Sequence, residues 1–206
     1  MERAAYLTRS FKSNLAVREQ QDGQQEKVIE GYFAVYGSET ELWPGAFEEI
    51  KSGAFDDTLE NDIRALINHN TELVLGRNKA GTLTLEADDK GLWARVVINE
   101  QDTDALNLYA RVQRGDVDQC SFGFNIVEES TEFREDGTVK WTIEKIDLHE
   151  VSIVTFPAYE ATGVQARKRD FEDLQERTLE SRKQKLKEKL NYAKTTHAPS
   201  QNQGLE

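Results

Sequence analysis

Apolar and polar positions alternate along most of the chain up to residue 156. Residues 27–36, KVIEGYFAVY, alternate or run apolar and stop at Gly37. The pattern returns in IRALINH (63–69), ELVLG (72–76), TLTLEA (82–87) and GLWARVVI (91–98), with NKAG and DDKG as turn signals between segments. QCSFGFNIV (119–127) is a further apolar run, and LHEVSIVTF (148–156) ends at Pro157. TEFRE and TVKWTIEKI flank Asp136-Gly137, a two-residue hairpin signal. Short strands joined by tight turns predict an antiparallel barrel or sandwich. Two segments break the pattern. EIKSGAFDDTLE (49–60) is expected to be partly helical. DTDALNLYARVQRGD predicts a helix N-capped by Asp102 or Thr103, with Leu106, Ala110 and Val112 as its apolar face and Gly115 as its stop.

Composition divides the chain near residue 166. The 206 residues fit one domain, or one domain with an appendage. The net charge is −12, but residues 167–206 hold ten Lys/Arg against seven Asp/Glu and the remainder 16 against 31. The tract RDFEDLQERTLESRKQKLKEKL carries a thin stripe of Phe171, Leu174, Leu179, Leu186 and Leu190 at irregular helical spacing, without sustained heptads. It reads either as a solvated helix with i,i+4 ion pairs or as a docking or removable tail. The expected organisation is an N-terminal extension over 1–24, a β domain over 25–166 and a charged helical or disordered tail over 167–206. The acidity argues against a nucleic-acid coat, because phosphate binding needs a basic face. No apolar run reaches membrane-spanning length, and no secretory core opens the chain, so the reading is a soluble protein of a reducing compartment. One cysteine, Cys120, and three histidines, His69, His149 and His197, leave no disulfide framework and little for a metal centre; no cofactor is expected.

The candidate chemistry is hydroxyl and imidazole chemistry. Ser121 sits in Gln-Cys-Ser-Phe-Gly-Phe, near a helix–strand junction, with Gly123 two residues on. It is either a buried hydroxyl or a nucleophile next to an unhindered amide. A serine hydroxyl becomes nucleophilic only when a base is bonded to it. His69, at a strand end in Leu-Ile-Asn-His-Asn, is one candidate base, and His149 is a second. Such a base needs an orienter, and the strand Asp147-Leu148-His149-Glu150-Val151 offers several. Simple alternation puts Leu148 and Glu150 on one face and Asp147, His149 and Val151 on the other. Cys120 is a competing nucleophile expected to face away from Ser121.

Five short segments occur in order over residues 25–166: Gly31-Tyr32-Phe33-Ala34-Val35-Tyr36, Pro44-Gly45-Ala46-Phe47, Asn68-His69-Asn70 with Leu75-Gly76-Arg77, Cys120-Ser121-Phe122-Gly123-Phe124, and Glu150-Val151-Ser152-Ile153-Val154-Thr155-Phe156-Pro157-Ala158-Tyr159. Through them the chain resembles the prohead maturation proteases of tailed bacteriophages, relatives of the herpesvirus capsid assembly proteases. The resemblance implies a closed, mostly antiparallel seven-stranded β-barrel wrapped by helices. It also implies Ser121 as nucleophile, His69 as general base and an acidic third member, Glu150, with His149 and Asp147 as alternatives. Oxyanion donors are expected near Phe122-Gly123 or Gly76-Arg77.

The same resemblance implies a serine endopeptidase acting by an acyl-enzyme. Its partners would be the major capsid protein with its scaffolding segment, and itself through autoproteolysis and a possible dimer, with no nucleic acid or membrane. It would work in the bacterial host cytoplasm, inside the immature procapsid, and be absent or degraded in the mature virion. A second class stays open beside it, a catalytically inactive barrel acting as a structural part of the procapsid, and a third is an ordinary ligand-binding β-barrel.

Overall fold

The computed structural model describes residues 6–19 and 26–156 and, in the tail, 168, 171–172, 176–177 and 179–189. Contacts group the chain into two units, Met1–Glu160 and Ala161–Glu206. In the second, residues 179–189 are helical with Leu179 and Leu186 exposed, while Leu174, Leu190 and His197 lie outside the described residues.

The first unit is mainly β, as the alternation predicts. Its strands are β1 (Leu7–Lys12), β2 (Ala16–Glu19), β3 (Lys27–Val35), β4 (Thr40–Trp43), β5 (Ala46–Ile50), β6 (Arg64–Ile67), β7 (Asn70–Arg77), β8 (Leu83–Ala87), β9 (Gly91–Val97), β10 (Gln119–Phe133) and β11 (Val139–Val154), with the helix α1 (Thr103–Arg114) between β9 and β10. They form two sheets. One is antiparallel, in the order β2-β3-β9-β8. The other has seven strands in the order β1-β10-β11-β5-β4, with β6 and β7 continuing from β11. The expected closed barrel is not found among the described residues: β1 and β4 end the path of the larger sheet. Nor is that sheet purely antiparallel. The 16-residue β11 pairs with β5 along its first part and with β6 along its last, both in parallel. Residues from distant parts of the sequence therefore meet along one strand.

Several local expectations are met and others shift. Asp102 caps α1 by accepting from the Asp104 and Ala105 amides, and Gly115 ends it at φ 84°. The buried face is Ala105, Leu108, Tyr109 and Val112, not the Leu106–Ala110–Val112 line, because only the former keeps the i, i+3, i+4, i+7 spacing of one helical stripe. Residues 52–60 are a run of turns rather than a helix, closed by bonds such as Ala54 N to Lys51 O and Asp56 N to Gly53 O, with Gly53 at φ 85°. Strands β1 and β2 lie in the part read from sequence as an extension; β1 pairs with β10 from Leu7↔Phe124 to Lys12↔Gln119.

The core lies where Ile29, Phe33, Leu92 and Val96 of the smaller sheet pack with Phe122, Phe124, Val151 and Ile153 of the larger one and with α1. Phe122 meets Phe55 edge-on and stacks on Phe124, at centroid separations of 5.6 and 4.9 Å. Burial of these side chains supplies the main drive for folding.

Candidate active site

The register of the larger sheet brings polar residues onto its second face. Ser10, Ser121, Ser152 and Leu66 form one cross-strand row over β1, β10, β11 and β6. The next row is Thr8, Gly123, Glu150 and Arg64. On β10 plain alternation holds: Cys120, Phe122 and Phe124 are in the core, and Ser121 and Gly123 are on the other face.

On β11 alternation fails at the site. Gly123 pairs with Glu150, but Phe124 pairs with Leu148, so His149 is an extra residue in the strand. This β-bulge changes which parity faces the core. Ile146 and Leu148 are core residues before it, and Val151 and Ile153 after it. Glu150 thus lies on the face opposite Leu148, contrary to the alternation expected from sequence. Bulges re-aim side chains in this way and concentrate near active sites.

His69 is placed by a turn. Ile67 and Asn70 pair across it, and Asn68 and His69 take φ of 50° and 58°. Positive φ at both central residues is the two-residue hairpin geometry that matches strand twist, and Asn and His tolerate it better than most residues. The turn is tied to β11: Asn68 N donates to Ile153 O, Thr155 N donates to Asn68 Oδ1, and His69 N donates to Ser152 Oγ at 3.2 Å. Non-glycine residues in this region cost about 1–3 kcal/mol and persist only where neighbours enforce them.

His69 Nδ1 lies 2.6 Å from Glu150 Oε1. The Glu150 side chain is 6% exposed, so its carboxylate needs partners. Among the described residues it has three: His69 Nδ1, the Tyr6 hydroxyl donating to Oε1 at 2.8 Å, and Ser152 Oγ donating to Oε2 at 2.5 Å. A carboxylate against Nδ1 keeps the proton on that nitrogen and leaves the lone pair on Nε2. His69 Nε2 is enclosed and has no hydrogen-bond partner among the described residues.

Ser121 is fully buried and directly opposite Ser152, about one strand spacing of 4.8 Å from it. Its Oγ donates to Arg9 O on β1 at 3.0 Å, not to His69. Arg9 is itself anchored by a bidentate pair with buried Glu48 and lies over the Phe124 ring. His149 and Asp147 are at the surface, 3.8 Å apart, and neither is the group that meets His69; the His149 ring stacks on Tyr6. Cys120 is buried on the core face, where desolvation pushes its thiol well above the usual range. Arg77 N donates to Thr82 Oγ1, which commits one of the amides expected near Gly76-Arg77. Two site residues escape the sequence reading. Tyr6 lies outside every alternating segment, and Ser152 reads as an ordinary strand serine; its place two residues after Glu150 is the only local signal.

No group of three or more His, Cys, Asp or Glu able to hold a metal ion occurs among the described residues. No helix among them is long and apolar enough to cross a membrane.

The prohead protease of Enterobacteria phage HK97 is 32% identical over 151 residues, 71% of this chain and 62% of that protein, so the chain spans less than two thirds of its relative. The bacteriophage T4 capsid assembly protease is similar in structure, with a TM-score of 0.48, 11% identity and coverage of 72% of this chain and 96% of that one. The model of the caudovirus prohead serine protease family matches residues 13–177, most of the chain, and the protein belongs to that family.

Proposed function

We propose that the chain is a serine endopeptidase that processes phage capsid proteins during prohead maturation, with Ser121 as nucleophile, His69 as general base and Glu150 as its orienter. The observation that carries the assignment is the 2.6 Å contact of His69 Nδ1 with Glu150, a residue on the sheet face that Ser121 shares, which leaves Nε2 free to accept a proton. Ser121 turns from the Arg9 carbonyl to His69 Nε2 as substrate binds. Its Oγ forms a bond to the scissile carbonyl carbon while the proton passes to Nε2. The C–N bond then breaks, and the same proton goes to the leaving amine. Water attacks the acyl-enzyme, giving its proton to His69, and Ser121 leaves with the proton restored. Imidazolium at Nε2 is stabilised throughout by Glu150.

The substrate in this reading is the major capsid protein, from which the scaffolding segment is removed inside the procapsid in the host cytoplasm. The enzyme also digests itself, which removes it from the mature virion, and the 167–206 tail associates with scaffold or coat. Co-expression with the cognate coat protein, followed by sequencing of new N-termini, tests this. Wild type yields processed coat, while Ser121→Ala yields uncleaved coat in assembled procapsids. Equal cleavage by both chains overturns the assignment. Assembly without cleavage by either identifies an inactive structural component, the role to which the closed Ser121–Arg9 bond would then belong.

A further inference from the structure

Glu150 receives more support than an ion pair with His69 requires, and the extra donors come from two residues outside the proposed triad. We infer that Tyr6 and Ser152 are positioning residues that hold the Glu150 carboxylate and, through it, set the orientation and basicity of His69. This rests on the reading of Glu150 as the orienter of His69.

Three observations carry it. Ser152 is fully buried and acts twice: it donates to Glu150 Oε2 at 2.5 Å and accepts from His69 N at 3.2 Å. One hydroxyl therefore links the orienter to the backbone of the base, which is held in a left-handed turn. Tyr6 reaches the other carboxylate oxygen, Oε1, which His69 Nδ1 shares. Its residue is half-exposed, yet its hydroxyl fills a slot that only glycine leaves open: a Cβ on Gly123 would lie 1.9 Å from the Tyr6 hydroxyl oxygen and 2.4 Å from Glu150 Oε1. The absent side chain at 123 and the tyrosine at 6 are thus parts of one arrangement, built across β1, β10 and β11.

The sign of the electrostatic effect follows from the donors. Each hydroxyl dipole offsets negative charge on Glu150. Without it, more of that charge acts on the imidazole, and imidazolium becomes more stable. His69 then titrates at higher pH, and less unprotonated base remains near neutrality. Other charged or titratable groups near the pair are Arg64, in register with Glu150 but donating to Asp62, and His149 against Tyr6, with Asp147 beside it. They are the same in every variant compared. Burial and the charge of Glu150 raise the Tyr6 pKa, so its hydroxyl remains a donor into alkaline solution.

The test uses the full chain carrying Ser121→Ala, which prevents self-digestion, with His69 titrated by NMR and its resonance assigned through His69→Gln. Tyr6→Phe and Ser152→Ala should each move the His69 midpoint to higher pH. In the Ser121 background, each should shift the acid limb of coat-protein cleavage the same way and lower the rate at neutral pH roughly tenfold, the loss of about one hydrogen bond to a charged group. Tyr6→Phe removes only a hydroxyl from a half-exposed ring and keeps the test independent of folding defects. An unchanged His69 midpoint in either variant removes that residue from the role. Cleavage that persists in Ser121→Ala overturns the nucleophile assignment without altering the titration result, so the two failures are distinguishable.

Discussion

The two faces of the β10–β11 ladder share one backbone and differ in almost everything else. On one, Cys120, Phe122, Phe124, Val151 and Ile153 meet the second sheet, and they are held mainly by packing, with one polar contact, from the Cys120 thiol to the Ser13 side chain. On the other, Ser121, Ser152 and Glu150 are equally buried, but each polar atom depends on a specific partner: Arg9 O, His69, Tyr6 or another member of the set. Apolar contacts are many and individually small. Hydrogen bonds in a desolvated pocket are few and directional, and losing one leaves its partner stranded. The first face should therefore govern stability, and the second activity.

Substitutions on the two faces can break this contrast. The largest effect is expected for Glu150→Gln, which keeps shape and removes charge. Turnover of coat protein should fall by about 10⁴, as for a triad carboxylate changed to its amide, with strand content unchanged by circular dichroism. His149→Ala, at the exposed bulge, should change turnover only a few-fold; a larger loss than for Glu150→Gln would transfer the orienting role to His149. On the apolar face, Phe122→Ala should cost about 3–5 kcal/mol in a denaturant titration, the range for a buried aromatic truncation. Loss of activity in that variant without loss of stability would contradict the division between faces.

Gly123→Ala sharpens the comparison because it crowds the polar face alone. Overpacking of this kind costs about 1–3 kcal/mol, and turnover should fall further than in Tyr6→Phe, since the new methyl meets Glu150 as well as the Tyr6 hydroxyl. The smallest effect concerns Cys120. Its buried thiol is neutral in the folded state and ionises more readily when unfolded. The folded pKa is the higher one, so this contribution to stability is complete below the ordinary thiol pKa of about 8.5 and declines as pH rises above it. Maleimide should modify the native chain slowly at pH 8 and the urea-unfolded chain rapidly, read by mass spectrometry. Equal rates would show that this face is open.

Local pattern was enough for much of the architecture. Period-2 alternation located β3 and β6 to β9, Asp136-Gly137 marked the β10–β11 hairpin, and Asp102 and Gly115 bounded α1. These signals act between residues close in sequence, where sterics and capping are decided. The same information also singled out Ser121, His69 and Glu150 as candidates, through residue chemistry and family resemblance. Tertiary pairing decided what those residues face. The bulge at His149 reversed the parity of β11, the parallel β6–β11 contact carried the His69 turn to Ser152, and β1 delivered Tyr6 to a gap over Gly123. A one-residue insertion in a strand leaves no mark in hydropathy, and a hydrogen bond across 144 residues exists only once distant strands have found their register.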